Sequence, residues 1–209
     1  MVLQSIRTEC PDTYEIIIVG EGLRHECDRF IEWQEDSKKI MAKYNAGAKA
    51  STGDIIFFGG DDMMLAPGWR EAWQAVAKDW QVAGMKCLTL DGKRVWDWSL
   101  VKPHQNICYK RSEPGLYIGG IIMAKHEVWE KHKWDENRIY EQAGDVEYCH
   151  RLAANGIKLT TIPKLITYHT NPYYSPGVTG EHIAGCLCSY GPKFTLLNME
   201  VSEARNVGK

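Results

Sequence analysis

The chain has 209 residues, a formal net charge of −2 and a hydrophobic content of 44%. This composition predicts one domain with a sizeable core, and the near-balanced charge gives no support for a nucleic-acid or membrane-surface partner. No apolar run is long enough for a membrane span, and no signal-peptide pattern is found. The seven cysteines lack metal-ligand spacing, so we expect a reducing, cytoplasmic setting.

The first part of the chain predicts a helix, a buried strand and a polar connection. Residues 2–7 look like the end of a helix, and the apolar run 15–19 indicates a strand buried in a sheet. Glu21 lies in the glycine-flanked turn after that strand, at the sheet edge where open α/β proteins bind ligands. The flanking glycines fit an ordinary turn equally well. Residues 24–43 are polar and predict a solvated connection that leads into a helix.

The most informative stretch is the strand 55–58 and the four residues after it. Its sequence, IIFF, has no polar alternation, which predicts a strand buried on both faces, as in a parallel sheet covered by helices. Two glycines and then Asp61 and Asp62 follow directly. Adjacent carboxylates repel each other unless a cation lies beside them, and Mg²⁺ or Mn²⁺ is commonly held by one or two carboxylates plus substrate phosphates. An Asp-rich turn before the next helix is the alternative.

The middle of the chain predicts a helix, a hairpin and a loop. Residues 68–80 have helical spacing, with tryptophans that we assign to the core. The segments 82–90 and 94–98 flank Asp91-Gly92, a strong hairpin signal. Residues 103–114 read as a loop that is long enough to form a lid over an acceptor.

The last patterned region predicts a helix followed by a strand. Asp145 is expected to be the N-cap of the helix, and Gly156 is well placed to end it. Residues 157–168, which contain Pro163, are then predicted to form a strand pair or a strand-turn that ends at His169. These assignments account for the residues without any catalysis, because an Asp N-cap and a His after a strand are common structural features.

Two blocks of sequence resemble family-2 glycosyltransferases of the GT-A fold. The first block resembles the metal-binding segment of that family and consists of Asn45, Gly47, Ala50, Gly53-Asp54, the apolar strand, Asp61-Asp62, Pro67 and Trp69. The second resembles the family's F-D-E…E-D-x-D/E-L-x-x-R-L…G pattern and consists of Trp134-Asp135-Glu136, residues 144–152 and Gly156. Gly144 stands where the family carries a Glu, which puts the positioning of the acceptor in question.

The resemblance implies a GT-A (Rossmann-like) α/β domain with a mixed, mainly parallel sheet flanked by helices. It implies inverting transfer of a sugar from a nucleoside-diphosphate donor to a hydroxyl of a glycan or other acceptor. The expected donor is a UDP-sugar, and the expected cofactor is Mn²⁺ or Mg²⁺. By the same resemblance the site residues are Asp62 and His169 for the metal, Glu21, Asn45 and Asp61 for the substrate, and Asp145 as general base. A non-catalytic nucleotide-binding or sugar-binding domain and a sugar nucleotidyltransferase remain as alternatives.

The C-terminal segment 194–206 resembles the strand and helix start that open the family's domain. The family's opening strand is missing from the N-terminus, and a central strand cannot be lost without unpaired backbone on both neighbours. We therefore predict that residues 1–209 form one circularly permuted domain, in which 194–199 is a central strand beside 15–19. Glu200, Val201 and Glu203 would then line the nucleotide site. A tail helix with a chance likeness, or a strand swapped into a neighbouring chain of a homo-oligomer, would fit the same sequence.

Overall fold

A computed structural model describes residues 2–10, 13–21, 27–77, 79–93, 98–100, 116–119, 121–138 and 144–170. The predicted lid loop 103–114 and the predicted strand 194–199, together with Glu200, Val201 and Glu203, lie outside the described residues. The described elements, in chain order, are α1 (Val2–Glu9), β1 (Ile17–Gly20), β2 (Arg29–Glu32), α2 (Ile40–Ala50), β3 (Ile55–Phe58), β4 (Met63–Leu65), α3 (Trp69–Gln74), β5 (Val82–Thr89), β6 (Trp98–Leu100), β7 (Leu116–Ile118), β8 (Ile122–Lys125), α4 (His126–Lys131), α5 (Gly144–Ala154) and β9 (Leu159–His169).

The main sheet of the described chain has five strands in the order β3-β8-β5-β9-β4. It is mixed, as predicted: β5 and β9 are parallel, whereas the β3–β8, β5–β8 and β4–β9 pairs are antiparallel. Antiparallel pairs therefore outnumber parallel ones in this sheet, contrary to the expectation of a mainly parallel sheet. The reason is that β4 and β8, which the sequence pattern did not resolve as separate strands, run against their neighbours.

The strand β3 is buried on one face only. Ile56 and Phe58 are buried, but the side chain of Phe57 is 40% exposed, so the prediction of burial on both faces is wrong. Within the described residues β3 lies at the edge of the sheet and pairs with β8 alone. An apolar run is therefore not sufficient to predict a strand covered on both sides.

A second sheet contains β1 and β2, which are parallel and in register from Ile17 opposite Arg29 to Gly20 opposite Glu32. The strand β2 lies in the segment that was predicted to be a solvated connection, and its two central residues are half-buried. Helix α2 packs over β1 so closely that a Cβ on Gly47 would lie 3.3 Å from Val19 Cγ2. The residues of β1 are half-buried rather than fully buried as predicted.

Two apolar clusters make up the core of the described part of the chain. One contains the tryptophans after β4, and the exposures of Trp69, Trp73 and Trp80 (1%, 9% and 3%) confirm that they are core residues. Helix α3 itself is shorter than predicted and ends at Gln74. The other cluster joins α2, β3, α4 and α5 and contains Phe58, Trp134 and Tyr148.

Helix α1 covers the edge strand β4 and the start of α3. Ser5 Oγ accepts a hydrogen bond of 3.2 Å from the backbone N–H of Leu65. Glu9 Oε2 accepts hydrogen bonds from the backbone N–H groups of Gly68 (3.0 Å) and Trp69 (3.1 Å). Side chains of α1 thus accept hydrogen bonds from backbone donors at β4 and at the start of α3, where the Trp69 N–H is shared with the Ala66 carbonyl (3.1 Å).

The turn at Asp91-Gly92 forms as predicted. The N–H of Thr89 donates to the carbonyl of Lys93 at 2.7 Å, and Gly92 has φ +83°. β5 lies between β8 and β9 in the main sheet, whereas β6 pairs with β7. Strand β8 pairs with β5 only at residues 82–84. Residues 94–97, most of the predicted second strand of the hairpin, lie outside the described residues, so this pairing stays a prediction.

Strand β9 is a single strand of 11 residues that includes Pro163, so the prediction of a strand pair or strand-turn is wrong. Its register with β5 shifts between Met85 and Lys86, opposite the segment that contains Pro163, so the missing N–H falls at an irregularity of the ladder. No helix in the part of the chain that the structure describes is long and apolar enough to cross a membrane.

Candidate active site

Asp62 and His169 meet where two strands of the main sheet end. Asp62 immediately precedes β4 and His169 is the last residue of β9, and the register places Met63 opposite His169. His169 Nε2 lies 3.2 Å from Asp62 Oδ2. The backbone N–H and the hydroxyl of Thr170 donate to the Asp62 carbonyl at 2.8 and 3.1 Å, which fixes the turn that carries the carboxylate.

The Asp62–His169 pair is open to solvent on the side of Asp62. The Asp62 side chain is 36% exposed and the His169 side chain is 9% exposed. Within the described residues, no group of three or more His, Cys, Asp and Glu side chains is placed to hold a metal ion. One carboxylate and one imidazole nevertheless fit a divalent cation that takes its remaining ligands from a diphosphate and water.

The residues around Asp62 leave space for its carboxylate. A Cβ on Gly60 would lie 2.7 Å from Asp62 Oδ1, which is closer than such contacts are found, so the carboxylate position requires glycine there. Asp61 is exposed beside it, and Glu21 is also exposed, directly after the last residue of β1. Their predicted contacts with a nucleotide remain predictions.

Asp145 lies in the first turn of α5 rather than at its N-cap. The helix begins at Gly144, so the capping role predicted for Asp145 is wrong, although its carboxylate is still next to the positive end of the helix dipole. The Asp145 side chain is half-buried. The helix ends as predicted, with Gly156 at φ +75°.

Gly144 has a physical reason to lack a side chain. A Cβ at this position would lie 2.6, 2.7 and 2.9 Å from the Cε, Sδ and Cγ atoms of Met41, which is on α2. The Glu of the family pattern therefore has no room in this arrangement of α2 and α5. The departure from the pattern reflects the packing of the two helices.

An aromatic group connects the segments that carry Asp62 and Asp145. The ring of Trp134 stacks on Tyr148 with centroids 3.9 Å apart, and it contacts Phe58 edge-on at 5.4 Å. Phe58 is the last residue of the strand before the Asp pair, and Tyr148 follows Asp145 by one turn of α5. Burial raises the pKa of the Tyr148 hydroxyl well above its usual range, so this group stays neutral inside the core.

Asn45 is not placed to bind a substrate directly. Its side chain is 5% exposed, and its amide makes four hydrogen bonds within the protein. The amide has two donor hydrogens and one oxygen that accepts two bonds, so its capacity is used in full. Sequence reasoning found the residue but assigned it to the wrong partner, because the partners are 84–91 positions away in the chain.

A cleft of about 350 Å³ runs along the outer face of α2. Trp33 lines one side, Trp129 and Lys133 line the other, and Asn45 and Glu136 contribute to the lining. The indole N–H of Trp33 donates to the carbonyl of Asp36, and Lys133 Nζ lies 5.7 Å from the centroid of Trp129. Trp33 and Lys133 are thus engaged with other protein groups.

Comparison with known proteins gives a fold but no sequence family. No family model matches the chain, and no curated protein matches it significantly. Among solved structures, the chain is similar to GalNAc-T7 in its complex with UDP, GalNAc and Mn²⁺, with a TM-score of 0.61 and 14% identity over 99% of this chain and 50% of that one. It is also similar to TarS of S. aureus, with a TM-score of 0.59 and 13% identity over 98% of this chain and 40% of that one.

These two similar structures are GT-A glycosyltransferases, and the chain spans half of their length or less. At such low identity the similarity bears on the fold alone. Together with the mixed sheet flanked by helices and the loops of the site at the strand ends, it shows that this chain has a GT-A-type α/β fold.

Proposed function

We propose that the chain is a family-2-like glycosyltransferase domain that moves a sugar from a nucleoside-diphosphate donor to an acceptor hydroxyl with inversion. The observation that carries the proposal is the contact between Asp62 and His169 at the ends of β4 and β9 in a GT-A-type fold. The similar GalNAc-T7 was crystallised with UDP, GalNAc and Mn²⁺, which makes UDP and Mn²⁺ the first probes to use.

The donor side of the reaction is assigned to the exposed end of the sheet. Asp62 and His169 would hold Mn²⁺ or Mg²⁺, which supplies positive charge to the departing diphosphate. Asp61 would contact the ribose or a metal-bound water, and Glu21 is the candidate contact to the nucleotide base. Asn45 supports the site from the core, since its amide has no group left for a ligand.

The acceptor side is assigned to Asp145. A carboxylate in the first turn of a helix is favoured in its ionised form by the helix dipole, so it is ready to take a proton. It would accept the proton of the acceptor hydroxyl as the oxygen bonds to the anomeric carbon and the bond to the diphosphate breaks. This direct displacement requires no nucleophile from the protein.

A second candidate function is nucleotide-sugar binding without turnover. It is favoured by Gly144, because the acidic residue that precedes the base in the family pattern is absent and Met41 fills its space. Titration calorimetry with UDP, with and without Mn²⁺, followed by a donor-hydrolysis and transfer assay distinguishes the two. A glycosyltransferase binds UDP in a Mn²⁺-dependent way and consumes the donor, whereas a binding domain does only the first.

The substitution Gly60→Ala tests the carboxylate position. Because the new Cβ would lie 2.7 Å from Asp62 Oδ1, the carboxylate must turn away from its present place, while the exposed backbone can keep its conformation. We expect Mn²⁺-dependent UDP affinity to fall by about 10-fold, as for the loss of a group that orients a metal ligand, with little change in Tm. Calorimetry measures the affinity.

Gly20→Ala is the matched control for Gly60→Ala, because a Cβ on Gly20 meets no atom within 4 Å. Its affinity for UDP should equal that of the unchanged protein. If Gly60→Ala also binds UDP with the affinity of the unchanged protein, the Asp62 carboxylate is not a metal ligand.

We also propose that residues 194–199 supply the family's opening strand, so that the domain is circularly permuted. The support is the sequence likeness of 194–206, together with two strand edges: among the described residues β1 pairs with β2 alone and β3 pairs with β8 alone. A strand between β1 and β3 would satisfy the backbone groups of both edges.

Removal of residues 194–209 tests this arrangement. We expect the shortened chain to lose UDP binding and to unfold at a clearly lower temperature, because two strand edges would be left unpaired. Light scattering of the full chain separates a permuted monomer from a swapped dimer. A shortened chain with full UDP affinity and unchanged Tm would exclude both arrangements.

A further inference from the structure

The side chain of Asn45 connects α2 to two segments that lie far away in the sequence. Its Nδ2 donates to the carbonyl of Trp134 (2.9 Å) and to Glu136 Oε1 (2.8 Å). Its Oδ1 accepts from the Trp134 backbone N–H (3.0 Å) and from Trp129 Nε1 (3.0 Å). We propose that Asn45 is a positioning residue. It holds the first turn of α5, and with it Asp145, in the position that base catalysis requires. This inference rests on the function proposed above.

Asn45 clamps the backbone of Trp134. Both backbone polar groups of Trp134 are bonded to the same Asn45 amide, in the way that two strands bond to each other. The side chain of Trp134 is 3% exposed, so its backbone cannot bond to water as an alternative. The clamp therefore fixes the backbone of Trp134, and the packing of the indole on Phe58 and Tyr148 fixes its ring.

Trp134 in turn contacts α5 through Tyr148. The indole stacks on Tyr148 with an interplanar angle of 17°, and both side chains are buried. Tyr148 lies one turn after Asp145 on the same helix, so a shift of the indole would move the start of the helix. This is a contact chain of three side chains from Asn45 to the turn that carries the proposed base.

Helix α2 also holds α5 at a second point. Met41, one turn before Asn45 on α2, fills the space that a side chain at Gly144 would occupy. The start of α5 thus rests directly on α2 through Met41 and indirectly through the Asn45 clamp. Two separate contacts fix a helix end more firmly than one, and base catalysis is sensitive to displacements on the order of 1 Å.

The polarity of the Asn45 amide matches that of its partners. The two donors of Asn45 face a carbonyl and the carboxylate of Glu136, and its oxygen faces two N–H groups. An Asp has the same shape but would set its second oxygen against the Trp134 carbonyl and the Glu136 carboxylate. Asn45→Asp is therefore a change of polarity without a change of size.

The experiment compares Asn45→Asp, Glu136→Gln and the double variant. We expect Asn45→Asp to lower kcat by about 10- to 100-fold, as expected for a small misplacement of the base, while the Kd for UDP with Mn²⁺ stays the same. Glu136→Gln alone should be near normal, because its amide oxygen still accepts from Asn45. The double variant should recover part of the lost kcat, because the new amide at position 136 can donate to the new carboxylate at position 45.

A second readout does not depend on turnover. Hydrogen exchange of the backbone amides at residues 146–149 should be faster in Asn45→Asp and should slow again in the double variant. If the unchanged protein transfers no sugar but shows this exchange pattern, the proposed function fails and the positioning contact stands. Normal kcat and normal exchange in Asn45→Asp would overturn the inference.

A purely structural role would have a different signature. It would lower Tm and weaken UDP binding together with kcat, without recovery in the double variant, and that result would also overturn the inference. If Asn45→Asp does not fold, Trp134→Leu tests the next contact in the chain, because it removes the stack on Tyr148 and leaves the backbone clamp. This variant should show the same loss of kcat at unchanged Kd, and a normal kcat would overturn the inference.

Discussion

Asp62→Asn should abolish Mn²⁺-dependent binding of UDP. A hard divalent cation prefers an anionic oxygen, and an amide in the same place offers only a neutral one. The loss should exceed about 100-fold, since the loss of an outer partner of a metal ligand alone commonly costs 10–100-fold. Titration of the variant with UDP at fixed Mn²⁺ measures the change, and Tm should stay close to that of the unchanged protein.

The reason to expect normal folding is that the backbone of Asp62 is held independently of its carboxylate. Thr170 donates two hydrogen bonds to the Asp62 carbonyl, and these remain in the variant. Asp61→Asn is the neighbouring control, and it should weaken binding much less because Asp61 is assigned to the ribose or to a water. If Asp62→Asn binds UDP with the same Mn²⁺ dependence as the unchanged protein, the metal lies elsewhere.

Asp145→Asn should reduce sugar transfer by about 10²- to 10⁴-fold, the usual contribution of a positioned general base. Binding of UDP should be unchanged, because Asp62 and His169 lie next to β4 and at the end of β9, whereas Asp145 lies on α5. Loss of the negative charge in the first turn of α5 should cost about 0.3–1 kcal/mol of stability. Single-turnover assays at saturating donor measure the transfer step directly.

Glu147→Gln is the control for charge and helix stability. Glu147 is the other acidic residue in the first turn of α5, and it bonds to Arg151 at 2.7 Å. Its replacement removes the same charge and an ion pair, yet transfer should remain near normal. Equal losses in the two variants would mean that the effect of Asp145 is electrostatic support of the helix, and near-normal transfer in Asp145→Asn would show that the base is another residue.

Local pattern was sufficient for much of the fold. The runs at β3 and β5, the end of α5 at Gly156 and the buried tryptophans after β4 were predicted because each follows from side-chain chemistry within about ten residues. The resemblance to a known family placed Asp62 and His169 in one site, and the structure brings their side chains to 3.2 Å. Their role with a metal stays a prediction.

What the sequence could not predict depends on contacts between distant segments. The strand β2 looks like a polar connection because only its two central side chains are half-buried, and its pairing with β1 does not show in the local pattern. Strand β5 lies between β8 and β9, which come much later in the chain and which no local pattern connects to it. The role of Asn45 depends on its hydrogen bonds to Trp129 and Trp134, which no local pattern connects to it.

The cover that α1 provides for β4 bears on how the protein avoids self-association. In the described sheet β4 is an outer strand, and an exposed outer strand is a template on which another chain can add a strand of its own. Ser5 occupies the amide of Leu65, and Glu9 occupies two more donors just beyond the strand. Helix α1, which has no fully buried residue, thus occupies backbone donors at an edge where another chain could otherwise add a strand.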